Sequence, residues 1–347
     1  MPTTRNRALT LVLVAVAALC TGCETGPVQA RPTGSAPTTV APAPDATTAP
    51  SADAGTTTGP TPSASATPSP TPSPTATATA PASAGPTAAP APTPTSAAPA
   101  PVPAGLGRIV VDYQLGGAYA LGPGVGGVVR DSTSEPAPGA YSICYVNGFQ
   151  TQPDERTTWL REHPDLLLRD AAGRVVADPG WPDEVLLDTS TDDKRARLAA
   201  VVGASLQRCA DAGFDAVELD NLDSYTRSGG LLTADDALAT AARYVAVAHG
   251  LGLAVGQKNA ADLTRRGHDE VGFDFAVAEE CHRWDECGAY TDVYGDQVID
   301  VEYADDLRGT FAEVCADPQT PFSTVLRDHD LTTPASRAHV LEVCPRG

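Results

Sequence analysis

From residue 109 onward, short apolar runs alternate with stretches of helical periodicity. Eight runs, rich in β-branched and aromatic residues, read as strands: Ile109 to Leu115, Tyr141 to Val146, Val185 to Asp188, Phe214 to Leu219, Leu253 to Gln257, Phe273 to Ala278, Val298 to Tyr303 and Phe322 to Leu326. Between the third and fourth, apolar residues recur at four-residue steps through Leu198, Val202 and Leu206. Ser190 is placed to cap that helix and Gly213 to end it. A second helix starts at Thr233, with Asp236 three residues on, carries Leu238, Ala242 and Val245 on its inner stripe, and stops at Gly250. Strands alternating with helices predict a parallel sheet, and eight strands predict closure into an α/β fold, the (β/α)8 TIM barrel. An open doubly wound sheet is the alternative, but no GxGxxG follows the first strand.

The first hundred residues have a different pattern. Arg5 and Arg7 precede an apolar run from Ala8 to Leu19, too short to span a bilayer and suited to a signal peptide. The run ends at Cys20-Thr21-Gly22-Cys23, which resembles a bacterial lipobox with Cys23 as the lipidated residue. Residues 24–104 are almost wholly Pro, Ala, Thr and Ser. With so little apolar surface to bury, this stretch cannot offset the entropy of ordering and reads as a disordered, proline-stiffened spacer. The expected organisation is therefore a signal peptide over 1–23, a linker over 24–104 and one barrel over 105–347. The expected location is outside the cell, secreted or held at the surface by a lipid.

Charge and cysteines narrow the partners. The chain has 43 acidic and 23 basic residues, with three of each before residue 105, so the folded part carries 40 against 20. Such a surface excludes nucleic acid, leaves the lipid as the only membrane contact, and favours a cationic substrate. The six cysteines Cys144, Cys209, Cys281, Cys287, Cys315 and Cys344, following an export signal, predict three disulfides. Of the 15 possible pairings, the favoured set is Cys281–Cys287 closing a short loop, Cys315–Cys344 stapling the C-terminus, and Cys144–Cys209 as the remainder. No CxxC or His pair stands at zinc-ligand spacing, so neither a metal nor a cofactor is expected. A monomer is expected.

Acidic residues gather where the predicted strands end. Asp188 closes the third, Glu218, Asp220 and Asp223 lie at and beyond the end of the fourth, Glu279 and Glu280 end the sixth, and Glu302 lies at the end of the seventh. Lys258 and Asn259 follow the fifth. A barrel brings these ends to one face, where active sites form. Strand ends two apart are roughly 10 Å apart at the backbone, within reach of the two-carboxylate chemistry that cleaves glycosidic bonds. Asp220 and Glu279 fit that geometry. Trp159, Trp181, Trp284, Tyr225 and Tyr290 are candidates to stack on sugar rings. No GxSxG or HExxH supports a serine esterase or a zinc protease.

The segments VDYQL, ICYVN, GWPDEVLLD, GFDAVELDNLDSY, GLAVGQKN, FDFAVAEECHRWDEC and VEYA resemble glycoside hydrolase family 114, the endo-α-1,4-polygalactosaminidase-like barrels, in order and spacing from about Val110 to Cys344. The most specific pieces are the Asp-Asn after the fourth strand and the E-x-C-(x5)-C after the sixth. The resemblance implies hydrolysis of α-1,4 linkages in a galactosamine-containing polysaccharide, with Asp220 as nucleophile or base and Glu279 as acid/base. It implies that Glu218, Asn221, Lys258, Asn259 and Glu302 line the sugar site, where Tyr113, Tyr145, Asp188, Asp223 and Tyr225 are also expected. The sixth strand departs from the family's N-E-Q-C, reading Ala278-Glu279-Glu280-Cys281. The alternatives are a barrel that binds carbohydrate at the surface without cutting it, and a metal-dependent deacetylase or phosphodiesterase.

Overall fold

A computed structural model of the chain describes residues 106–345. The expected signal segment, Cys23 and the linker lie outside these residues. Eight parallel strands follow one another around the sheet in chain order. They are β1 (Val110–Tyr113), β2 (Val125–Asp131), β3 (Tyr141–Asn147), β4 (Ala216–Asp220), β5 (Ala254–Lys258), β6 (Phe275–Glu279), β7 (Val298–Tyr303) and β8 (Ser323–Arg327). A ninth strand, β9 (Leu341–Val343), runs antiparallel along β8. Side chains of β8 reach across to β1: Ser323 Oγ accepts the Val111 N–H at 3.2 Å, and Arg327 donates to Asp112 at 3.1 Å and to the Tyr113 carbonyl. Arg327 and Asp112 are both fully buried. The result is a nearly closed barrel.

Two layers of core fix which side chains enter the lumen. Val111, Tyr113, Ile143, Ala216, Phe275, Val277, Ile299, Val301, Tyr303 and Val325 pack together inside the barrel. Cys144, Val146, Val217, Leu219, Ala276 and Ala278 face outward against the helices. A Cβ at Gly256 would meet the Phe275 ring at 2.5 Å, so β5 needs glycine where that ring crosses the lumen.

Two strand expectations change. Val185 to Asp188 is not a barrel strand. It lies in the long excursion after β3 and makes only isolated antiparallel bridges, Val185 with Ala177, Leu186 with Gln150 and Leu187 with Leu167. The run is apolar because Val185 and Leu187 pack into the outer core with Leu198, Val202 and Leu206, while Leu186 packs with Leu168 and Leu232; all three are fully buried. The strand that takes its place in the count is β2. Its Gly126 and Gly127 interrupt the apolar pattern, and a Cβ at either would press on Ile109 or Val111 at 3.0 to 3.1 Å. The two differences cancel, so the strand bearing Asp220 is still the fourth.

The helical layer is also less regular than a (β/α)8 pattern. Among the described residues, no helix connects β1 to β2 or β2 to β3; the first connection is rich in Gly and the second in Ser and Pro. Helix α1 (Arg156–Glu162) lies in the excursion. Helix α2 (Asp192–Ala212) buries Leu198, Val202, Leu206 and Cys209. Its cap is Thr191, whose side chain accepts the Lys194 N–H; Ser190 bonds Asp188 instead. Helix α3 (Ala234–Gly250) has the expected Thr233–Asp236 capping box. The disulfides are Cys144–Cys209 between β3 and α2, Cys281–Cys287, and Cys315–Cys344.

Candidate active site

Strands β4, β5 and β6 each end on a charged residue, Asp220, Lys258 and Glu279. Each is followed by a residue in the left-handed region: Asn221 at φ 66°, Asn259 at φ 48° and Glu280 at φ 60°. This turns the chain off the barrel while the last strand side chain points inward. Asparagine tolerates that conformation better than most residues, and Glu280 adopts it at a cost of about 1–2 kcal/mol.

Lys258 is the hub. Its ammonium lies 3.0 Å from Glu218, 3.2 Å from Asp220 and 3.3 Å from Glu279 Oε2, with the side chain almost sealed from solvent. It also donates to the Tyr113 hydroxyl at 2.9 Å, which donates to Glu218 at 2.6 Å. Tyr145 donates to Asp220 Oδ2 at 2.6 Å, and Asn221 Nδ2 donates to the same oxygen at 3.2 Å. Glu279 is held at two points by Asn259, whose Oδ1 accepts its backbone N–H at 2.8 Å and whose Nδ2 donates to Oε2 at 3.1 Å. Tyr303 donates to Glu279 Oε1.

One cation among three carboxylates forces them to divide their protonation. Burial works against ionised Asp220, but the Lys258 charge and the bonds from Tyr145 and Asn221 outweigh it and hold this carboxyl below the ordinary range. For Glu218, burial dominates over Lys258 and pushes the carboxyl up to about 7. Lys258 itself, though burial lowers it, is raised well above its usual value by Asp220, Glu218 and Glu279. At mildly acidic pH the site therefore holds ionised Asp220, ammonium Lys258 and protonated Glu218.

Tyr113, Tyr145, Glu218, Asp220, Asn221, Lys258, Asn259 and Glu279 thus come together as the sequence implies. Four others do not join them. Asp188 is held by Lys194 and Ser190 at the start of α2. Asp223 pairs with Arg227 at 2.8 Å. Tyr225 packs against the outer cores, its hydroxyl 3.4 Å from Asp262. Glu302 alternates with the lumen residues Val301 and Tyr303, so it faces outward and accepts the His282 N–H at 2.8 Å. Trp159 and Tyr290 are core residues, whereas Trp181 and Trp284 are 55% and 57% exposed. Glu280 turns away from Glu279; burial, then Asp306, raises its carboxyl.

Sequence reasoning missed Tyr303, Asn147 and Glu184. Tyr303 shares strand parity with Val301, a signal that was available. Asn147 ends β3 opposite Asp220 and donates to Glu184 at 3.1 Å. Among the described residues, one His/Cys/Asp/Glu group has ligand-like spacing, Cys281, Cys287 and Asp300. Its two sulfurs are joined to each other, leaving a single carboxylate.

The sequence profile of glycoside-hydrolase family GH114 matches residues 89–347. The fold resembles Aspergillus fumigatus Ega3, solved in complex with galactosamine, at 22% identity and a TM-score of 0.55, covering 69% of this chain and 96% of that one. It also matches the glycoside hydrolase domain of PelA from Pseudomonas aeruginosa at 14% identity and a TM-score of 0.44, over 67% and 98% of the two chains. No curated protein matches this chain.

Proposed function

The chain belongs to glycoside-hydrolase family GH114, and from that premise we propose that it is an endo-acting glycosidase that cuts α-1,4 linkages in a galactosamine-containing polysaccharide. The observation that carries the reading is Lys258 standing between Asp220 and Glu279. Asp220, kept ionised by that lysine, attacks the anomeric carbon. Glu279 gives a proton to the departing glycosidic oxygen. Glu279, now a carboxylate, then takes a proton from water, whose oxygen displaces Asp220 and restores both groups. One water is consumed and one reducing end appears.

The contacts of Lys258 are compatible with this double displacement. Its ammonium is 3.2 Å from Asp220 Oδ1 and 3.3 Å from Glu279 Oε2, so these oxygens are at most 6.5 Å apart. Retaining enzymes space their carboxyl groups by about 5–5.5 Å, and inverting ones leave about 6.5–9.5 Å for a water. The galactosamine bound by Ega3 and the net charge of -20 support a cationic polymer as substrate. The N-terminal pattern supports export, lipidation of Cys23, and residues 24–104 as a spacer.

The test is incubation of the full chain with partly deacetylated α-1,4-galactosamine polymer while new reducing ends are followed. Release by the wild type, abolished in Asp220→Asn, is the expected result. A folded protein that binds the polymer without cutting it would overturn the reading in favour of a carbohydrate-binding surface protein.

A further inference from the structure

Glu184 closes the turn that begins at Asp178. The Glu184 N–H donates to the Trp181 carbonyl at 2.8 Å, and the Asp178 N–H donates to the Glu184 carbonyl at 3.0 Å. The residue is only 8% exposed. Its Oε2 accepts from Asn147 Nδ2 at 3.1 Å. Its Oε1 has no hydrogen-bond partner among the described residues, yet it is not one of the side-chain oxygens sealed from solvent. Glu184 is thus enclosed except at one open carboxylate oxygen.

The carboxylate is tied to the candidate site through Asn147. Asn147 Oδ1 accepts from Asn221 Nδ2 at 3.2 Å, and the same amide nitrogen donates to Asp220 Oδ2 at 3.2 Å. Only two side chains separate Glu184 from Asp220. The charged groups that act on it are Asp220, Asp178 and Arg227. Arg227 is already committed to Asp178, Asp223 and Asn221 Oδ1. Glu184 therefore has acidic neighbours and no ion pair of its own. Burial, then the Asp220 charge, pushes its carboxyl up to about 7.

A neutral hydroxyl arriving at Oε1 would make one hydrogen bond and leave the repulsion between the two carboxylates in place. An ammonium would make a charge-assisted bond and relieve that repulsion. The exposed Trp181 indole in the same turn offers a face for the sugar ring that carries it.

We infer that Glu184 is a specificity residue that reads the protonated amine of a hexosamine unit in a subsite beside Asp220, with the turn 178–184 as its wall. The inference rests on the glycosidase reading and narrows it: selection for free amine over N-acetyl lies in this carboxylate.

The experiment compares the full chain with Glu184→Gln, whose amide oxygen can still accept from Asn147. Values of kcat/KM are measured on deacetylated and on fully N-acetylated α-1,4-galactosamine polymer. The wild type is expected to prefer the deacetylated polymer, and Glu184→Gln to lose at least tenfold of that preference, chiefly through KM. Calorimetry of galactosamine binding at pH 7 in two buffers is expected to show proton release by the wild type and none by the variant. An unchanged preference and unchanged proton release would overturn the inference while leaving the glycosidase intact. If the wild type cuts neither polymer, the glycosidase reading fails, and the galactosamine binding data still decide the role of Glu184.

Discussion

Lys258 Nζ stands 3.2 Å from Asp220 Oδ1, and the lysine is 2% exposed. Water contributes little screening to such a pair, so the ammonium is the main reason that Asp220 ionises despite its burial. Lys258→Met removes that support and leaves three carboxyl groups facing one another. The acid limb of the pH profile of kcat/KM should move upward, because Asp220 then holds its proton to higher pH. Turnover at pH 5 should fall by about 10²-fold or more. An acid limb that stays in place would mean that the bonds from Tyr145 and Asn221 suffice to ionise Asp220.

The division of labour between Asp220 and Glu279 has its own signature. Asp220→Asn and Glu279→Gln should each lower kcat by about 10²–10⁴ while melting temperatures shift only slightly, since both amides keep acceptors for Tyr145 and Tyr303. A substrate whose leaving group departs without a proton, such as a dinitrophenyl glycoside, should recover its first step in Glu279→Gln and not in Asp220→Asn. Recovery in Asp220→Asn would exchange the two roles.

Glu218 gives a stability prediction whose sign follows from its raised carboxyl. In the unfolded chain it titrates near 4.5 and in the fold at about 7. Between those values the fold binds more proton than the unfolded chain, so this contribution is full below pH 4.5 and is lost as pH rises to about 7. Glu218→Gln has no proton to lose. Its melting temperature, measured from pH 4.5 to 7.5, should fall less steeply with pH than that of the wild type. Parallel curves would show that Glu218 stays ionised beside Lys258.

The limits of the sequence are visible in particular residues. Asp220 and Glu279 were legible because a strand end fixes both position and direction, and Lys258 for the same reason. Glu302 was misplaced because nearness to a strand end says nothing without parity; its neighbour Tyr303 is the one that points inward. Glu184 was hidden because Val185 to Asp188 looks like a barrel strand, although its apolarity comes from packing in the outer core. The glycines of β2 hid a strand for the opposite reason, since space for Ile109 and Val111 mattered more there than β propensity.

The C-terminal disulfide should matter to barrel closure as well as to chain entropy. Cys315 lies in the helix Phe311–Ala316 and Cys344 just past β9. The tail between β8 and β9 feeds Arg327, which donates to the Val340 and Thr332 carbonyls and, on its other side, to Asp112 and Tyr113 of β1. Loosening the tail therefore loosens the grip of β8 on β1. Loop-closure entropy for a separation of 29 residues predicts a loss of about 3–4 kcal/mol. The double substitution Cys315→Ser and Cys344→Ser should lower the melting temperature accordingly. Because Tyr113 bonds both Glu218 and Lys258, part of the activity should go with it, well below the melting point. A lowered melting temperature with full activity would separate the two roles, leaving the disulfide as a staple and the Arg327 network able to hold β1 without it.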